Sequence, residues 1–422
     1  MTQLRRVQIE GYRPFRRFGI NVDSLQVFVG PNGSGKSSLF EFLQILRDGM
    51  ESDIPPTVAP GPAGKTIFHA GTSESVLRWL LRFEHPDGSR SECLEYGAEI
   101  LGPVGQIQIS EEFVAEAHKL RSDKNFKEVA KLLELTRGEG ELRSPHPVGP
   151  DGNQVDWRVQ QLELKSHRRL ALGTVHDRHN FPELNALGEC IAKWVFVDGL
   201  GFDLHAMRQP ATVEQGARLR DDGANLSAVL FQLQSEHPNV FAQINRRMGS
   251  FVDSFGDLTV KAQGAPGQVL AFTKEDRFDR DLSLTDLSDG ILRLLALTVL
   301  CYQPQPPPLV CIDEPVQGVH PKTIPILAGM FQKLATKTQV FLVTHSPYFL
   351  SQFSVEDIIV FTCRDGQTVA RRPADSEVLI AILEDFGTQE LRQLLRTDEL
   401  TMLSPPVAVD DDYPAEDEEE GP

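Results

Sequence analysis

Lys36 and Ser37 follow a glycine in GPNGSGKSS, residues 30–38, and two acids, Asp313 and Glu314, close the apolar run of LVCIDEP, residues 309–315. Gly30, Gly35, Lys36 and Ser37 satisfy G-x-x-x-x-G-K-[ST], the spacing of a loop that wraps phosphate. Its glycines let backbone N–H groups reach phosphate oxygens with no Cβ in the way, and a following helix N-terminus adds about half a positive charge. Lys36 is then expected on the β- and γ-phosphates and Ser37 on Mg²⁺, with Pro31, Asn32, Gly33, Ser34 and Ser38 completing the cradle. Asp313 would hold the metal from one layer further out, and Glu314 would orient and deprotonate an attacking water. In QVFLVTHSPYFL, residues 339–350, His345 follows an apolar run and is placed to touch the γ-phosphate or that water. Ser288, Asp289 and Gly290 open the helical run Ile291–Leu300, which makes a second anion-binding terminus; a plain N-cap would leave the same trace.

These residues work only if strands and helices carry them to one edge. Leu25, Val27, Phe28 and Val29 read as a short buried strand before the loop. Leu39, Phe42, Leu43 and Leu46, at i, i+3, i+4 and i+7, read as the core face of the helix after it. LVCID and QVFLV read as two more buried strands, and open parallel sheets bind ligands at the carboxyl ends of such strands. Asp313 and Glu314 are adjacent, so a regular strand would point them to opposite faces; both reach the site only if the chain turns there. SVLRWLLRFEH, a PDGS turn, SECLEYGAEILG and QIQISEEF predict antiparallel strands over one side of the nucleotide. EEFVAEAHKLRSDKNFKEVAKLLELTR and NLSAVLFQLQSEHPNVFAQINRRMGSFV predict helices, with RSPHPVGPDGNQ as a loop between helical parts and LTVKAQ with QVLAFTK as a hairpin.

The chain has 422 residues and a formal charge of −18. Eight of its carboxylates lie in PPVAVDDDYPAEDEEEGP, residues 405–422, which contains no base and is expected to be disordered; residues 1–404 carry −10. Five cysteines, never in C-x-x-C spacing, fit a reducing cytoplasm and speak against zinc. No apolar run reaches the ~18 residues that span a bilayer, and no secretory h-region follows the basic N-terminus, so the chain is expected to be cytoplasmic. Basic residues gather at Arg5, Arg6, Arg13, Arg16, Arg17 and at Lys165, His167, Arg168, Arg169. Such a patch could contact nucleic acid, although solvated faces explain it as well.

In order, GPNGSGKSS, LSDGILRLLAL, VCIDEPVQGVHP and VTHSPYFL resemble the Walker A, signature, Walker B with D-loop, and H-loop motifs of ABC-type ATPases. The nearest likeness is to RecF/SMC-like bacterial ATPases, and IEGYRPFRRF, MRQP and DDGANLSAVL are similar to that family too. Asp289 and Ile291 depart from a transporter-type signature, while Val316 and Gln317 stand where the family more often has Glu-Asn. No residue fills the Q-loop role; Gln106, Gln108 and His69 are the candidates considered.

The resemblance implies an α/β ABC-type head with an antiparallel β subdomain and a large, mostly helical insertion. Its parts would be residues 1–111, an insertion at 112–255, a second half of the head at 256–404, and the acidic tail. It further implies ATP and Mg²⁺ as cofactors, and a homodimer or higher oligomer in which Ser288, Asp289 and Gly290 of one copy close on the ATP of the other. A protein effector such as a nuclease or toxin is the implied partner, with DNA repair and a transporter subunit as competing roles. The nuclease domain of OLD-type relatives and long coiled-coil arms are not expected in this chain.

Overall fold

The structure is a computed structural model that describes residues 2–54, 67–69, 75–84, 93–102, 107–119, 126–148, 154–199, 201–274, 279–364, 366–396 and 398–407. The PDGS turn, Gln106 and residues 408–422, with the acidic run, lie outside them.

A six-stranded sheet runs in the order β10 (Val195–Asp198), β15 (Leu309–Asp313), β16 (Gln339–Val343), β3 (Leu25–Val29), β17 (Ile358–Arg364) and β18 (Gln367–Arg371). All neighbours are parallel except β17 and β18. The apolar runs alternate strictly: Phe28, Leu309, Cys311, Phe341 and Val343 face one core, while Val27, Val29, Val310, Ile312, Val340 and Leu342 face the other. Burial on both faces is what a parallel sheet requires, and it is why these strands read as unbroken apolar runs.

Over the first face lies α1 (Lys36–Glu51), burying Leu39, Phe42, Leu43 and Leu46, with α2 (Pro182–Ala192) beside it. Beyond them stands an eight-stranded antiparallel sheet in the order β2 (Phe15–Asn21), β1 (Gln3–Tyr12), β4 (Val76–Glu84), β5 (Cys93–Leu101), β6 (Gln108–Lys119), β7 (Phe126–Thr136), β8 (Glu139–Val148) and β9 (Gln154–Glu163). Phe42 meets Trp79 of β4 edge-on, with ring centroids 5.9 Å apart, and so joins helix to sheet. The second face is covered by α4 (Leu226–Glu236), α5 (Pro238–Phe251), α6 (Asp289–Tyr302) and α7 (Ile324–Ala335), with the short α3 (Leu204–Met207) against α6. The expected hairpin is present as β12 (Leu258–Ala262) on β13 (Gln268–Thr273), flanked by β11 (Ala211–Thr212) and β14 (Leu282–Ser283).

One expectation fails. The described parts of the segment from Glu111 to Arg137 are not helical: β6 ends at Lys119 and β7 begins at Phe126, the eight-stranded sheet draws its strands from between Gln3 and Glu163, and no break falls at residue 112. Glu, Ala, Lys and Leu are strong helix formers, but tertiary pairing overrides that preference. The strand period was also concealed, because the register slips at Glu99/Ile100, Val114/Ala115 and Glu116/Ala117. Each bulge moves the buried set to the other parity, so no window keeps a clean alternation. Part of the expected glycine- and proline-rich loop, Arg143–Val148, is likewise strand. Among the described residues of the insertion, the α-helices are α2 through α5, within residues 182–251.

Candidate functional site

β3 ends at Val29, and the chain enters the glycine loop with left-handed backbone at Gly30 (φ 145°), Gly33 (φ 76°) and Gly35 (φ 100°) before α1 begins at Lys36. A Cβ on Gly30 would lie 2.1 Å from the Phe361 carbonyl oxygen of β17, and one on Gly35 2.5 Å from Thr368 Oγ1 of β18. Thr368 Oγ1 also donates to the Ser34 carbonyl at 2.9 Å, pinning the loop from below. Lys36 Nζ donates to the carbonyls of Gly30 (2.9 Å) and Pro31 (2.8 Å) and to Ser34 Oγ (3.3 Å), so the ammonium sits inside the curl of the loop. Burial lowers its pKa, with Asp313 and Glu314 opposing that shift.

Three strand ends meet this loop. Ser37 Oγ donates to Asp313 Oδ2 at 3.1 Å, although 276 residues separate them. Glu314 has a left-handed backbone, φ 49°, and its N–H is held by the Val343 carbonyl at 2.9 Å. That turn is what brings adjacent acids to one cleft, and a non-glycine residue held in this region stores strain of about 1–3 kcal/mol. Burial raises the Glu314 pKa to about 7, with the backbone N–H of His345 opposing and Asp313 adding to the rise. Glu314 Oε1 is buried with no hydrogen-bond partner, and His345 Nε2 stands 4.0 Å from it. Burial raises the Asp313 pKa and lowers that of His345. The cleft, about 300 Å³, is lined by Asn32, Gly33, Gly35, Lys36, Ser37, Ser38, Asp198, Asp313, Glu314, Gln317, Val343 and His345.

A family model described as "AAA domain, putative AbiEii toxin, Type IV TA system" matches residues 25–351. The chain belongs to this AAA-domain family. A search of curated proteins gives no match. Among solved structures, the Smc head bound to the C-winged helix domain of ScpA is 13% identical, covering 87% of this chain and 96% of its own, at a TM-score of 0.50. The Smc head domain with an extended coiled coil from Pyrococcus furiosus, bound to the C-terminal domain of ScpA, is 12% identical, covering 91% and 99%, at 0.51. The AAA domain thus has the P-loop ATPase architecture of an SMC head.

Within that architecture, Ser288, Asp289 and Gly290 do not line the cleft of their own chain. Ser288 caps α6 without a side-chain hydrogen bond, and Asp289 Oδ1 accepts from Arg208 Nη2 at 2.8 Å, tying MRQP to the helix start. A Cβ on Gly290 would lie 2.9 Å from the Gly318 carbonyl oxygen, so this terminus abuts the turn after Glu314. Among the Q-loop candidates, Gln108 pairs with Leu101 in β6 and β5, and His69 Nδ1 lies 2.5 Å from the Arg13 carbonyl oxygen; neither lines the cleft.

Asp198 and Thr368 were missed by sequence reasoning. Asp198 ends β10 directly beside Asp313 in parallel register. VFVD before a glycine repeats the pattern of LVCID and could have been found; Thr368 leaves no trace of its role. Among the described residues no group of three His, Cys, Asp or Glu could hold a metal by itself. A hydroxyl, one carboxylate and substrate phosphates suffice for Mg²⁺ in P-loop sites, so the pairing of Ser37 with Asp313 fits that ion. No described helix is long and apolar enough to cross a membrane.

The basic residues are largely engaged. Arg5 pairs with Glu84 and Asp23, Arg13 with Glu41, Arg17 with Glu10 and Arg168 with Asp53, while Arg6 Nη1 donates to Asn21 and Arg169 to the Met50 carbonyl.

Proposed function

We propose that the chain is a Mg²⁺-dependent ATPase whose two copies close head-to-tail around ATP and relay that closure to a protein effector. The observation that carries this reading is the 3.1 Å contact between Ser37 Oγ and Asp313 Oδ2, with Lys36, Glu314 and His345 around the same cleft. Ser37 and Asp313 would hold Mg²⁺, which when bound neutralises charge on the phosphates. Lys36 swings from the loop carbonyls onto the β- and γ-phosphates. Glu314 takes the proton of the attacking water, and His345 contacts the γ-phosphate.

The signature triplet stands outside its own cleft with an uncommitted serine at a helix N-terminus, which suits closure on a second copy. The family description names a toxin system, and control of a toxin or nuclease in anti-phage defence fits a head of this kind. DNA repair draws less support, since most of the arginines in the two basic clusters already pair with carboxylates, an amide or a carbonyl of their own chain. Glu314→Gln is expected to bind ATP, lose turnover and accumulate as a dimer in sedimentation runs, whereas Lys36→Ala should show neither ATP binding nor the ATP-dependent dimer. A Glu314→Gln chain that stays monomeric at saturating ATP would falsify the closure.

A further inference from the structure

The outer half of the β8–β9 hairpin is not paired with β7. β7 pairs with β8 only from Glu139 to Leu142, while β8 and β9 continue together to Val148 and Gln154. A two-stranded ribbon is marginal in water and gains from further strands. Its two edges differ. Pro145 opposes Trp157 and Pro147 opposes Val155. Proline has no N–H to give, so these are the non-hydrogen-bonded pairs, and the prolines sit where β8 would otherwise present donors on its outer side. That edge is blocked. The same alternation turns the N–H and C=O of Trp157 and Val159 away from β8, and the Trp157 N–H donates to the neighbouring Asp156 Oδ1 at 2.9 Å. Trp157 is 39% and Val159 50% exposed. At the far side of the sheet, β2 packs against β18, and β9 is the end strand of the sheet with no further strand beside it among the described residues.

We propose that β9 pairs antiparallel with β9 of a second copy, on a two-fold axis through Trp157. In that register Trp157 faces its own counterpart in a hydrogen-bonded pair, and Asp156 faces Arg158 of the other copy twice, in the closely spaced non-hydrogen-bonded pairs. An axis through Asp156 or through Arg158 would set like charges against each other, and one through Val159 would oppose Arg158 to Gln160. Only the Trp157 axis matches opposite charges. This interface is separate from the ATP cleft and the signature, and it does not depend on the function proposed above.

The test uses the full chain without nucleotide, in the Lys36→Ala background, so that ATP-driven closure cannot contribute. Sedimentation velocity across a concentration series should show a monomer–dimer equilibrium. Arg158→Asp should weaken it at least tenfold, and Asp156→Arg combined with Arg158→Asp should return it to within about threefold of the parent. Unchanged melting and circular dichroism confirm that each variant is folded. Trp157→Cys should cross-link to itself under mild oxidation, because the Cα separation of a hydrogen-bonded pair, about 5.5 Å, suits a disulfide, whereas Val159→Cys should cross-link more slowly. A monomer at every concentration, a dimer indifferent to Arg158→Asp, failure of the double swap to restore it, or a different protein seated on β9 would each overturn the proposal.

Discussion

Glu112 is the most demanding single residue outside the cleft. It is buried in β6, where Oε2 accepts from the Ala171 N–H (2.6 Å) and Oε1 from the Leu172 N–H (3.0 Å) and the Tyr96 hydroxyl (3.2 Å). These bonds tie the antiparallel sheet to the segment leading into α2. Burial pushes its pKa up from 4.5 to about 7 against those three donors. A carboxyl whose folded pKa lies above its unfolded value binds a proton on folding across that interval. Its contribution is therefore complete below about pH 4.5 and is lost as pH rises through about 7. Glu112→Gln should flatten the fall in stability between those limits, by up to an order of 3 kcal/mol. Denaturant midpoints measured at pH 5.5 and pH 8 decide it: an equally steep fall in the variant removes Glu112 as the source.

Among the elements, β17 and β18 have a role that the motifs do not reveal. The loop residues were legible because glycine, lysine and serine at fixed spacing have few other uses, and the apolar runs of β3, β15 and β16 were legible because both faces are buried. The support beneath the loop was not, since a carbonyl at Phe361 and a hydroxyl at Thr368 act through position rather than pattern. The start of β6 was legible in QIQISEEF, but its second half and β7 stayed hidden for a different reason, the bulges that break their alternation. Thr368→Val keeps shape but leaves the buried Ser34 carbonyl without its donor, at a cost of about 1–3 kcal/mol. It should weaken nucleotide binding several-fold in calorimetry with little change in the turnover of bound ATP. Equal affinity in the variant would show that the loop holds its form unaided. Gly30→Ala should be far more severe, since the new methyl would collide with the Phe361 carbonyl.

For the whole molecule, the separation of signature from cleft makes complementation the decisive measurement. A Lys36→Ala chain has a sound signature but no ATP grip, and a Ser288→Arg chain the reverse. Mixed together, they should form a heterodimer with one complete site and hydrolyse ATP well above the sum of the separate preparations. If the mixture gives only that sum, each signature serves its own chain and the head-to-tail arrangement fails.

The family match stops at residue 351, while β17 and β18 occupy 358–371. A chain truncated at that limit would keep every motif residue yet lose the wall against which Gly30 and Gly35 are wedged. If the loop holds a triphosphate as proposed, part of its grip is lent by a stretch of chain outside the matched region, and deletions there should mimic lesions in the motif itself.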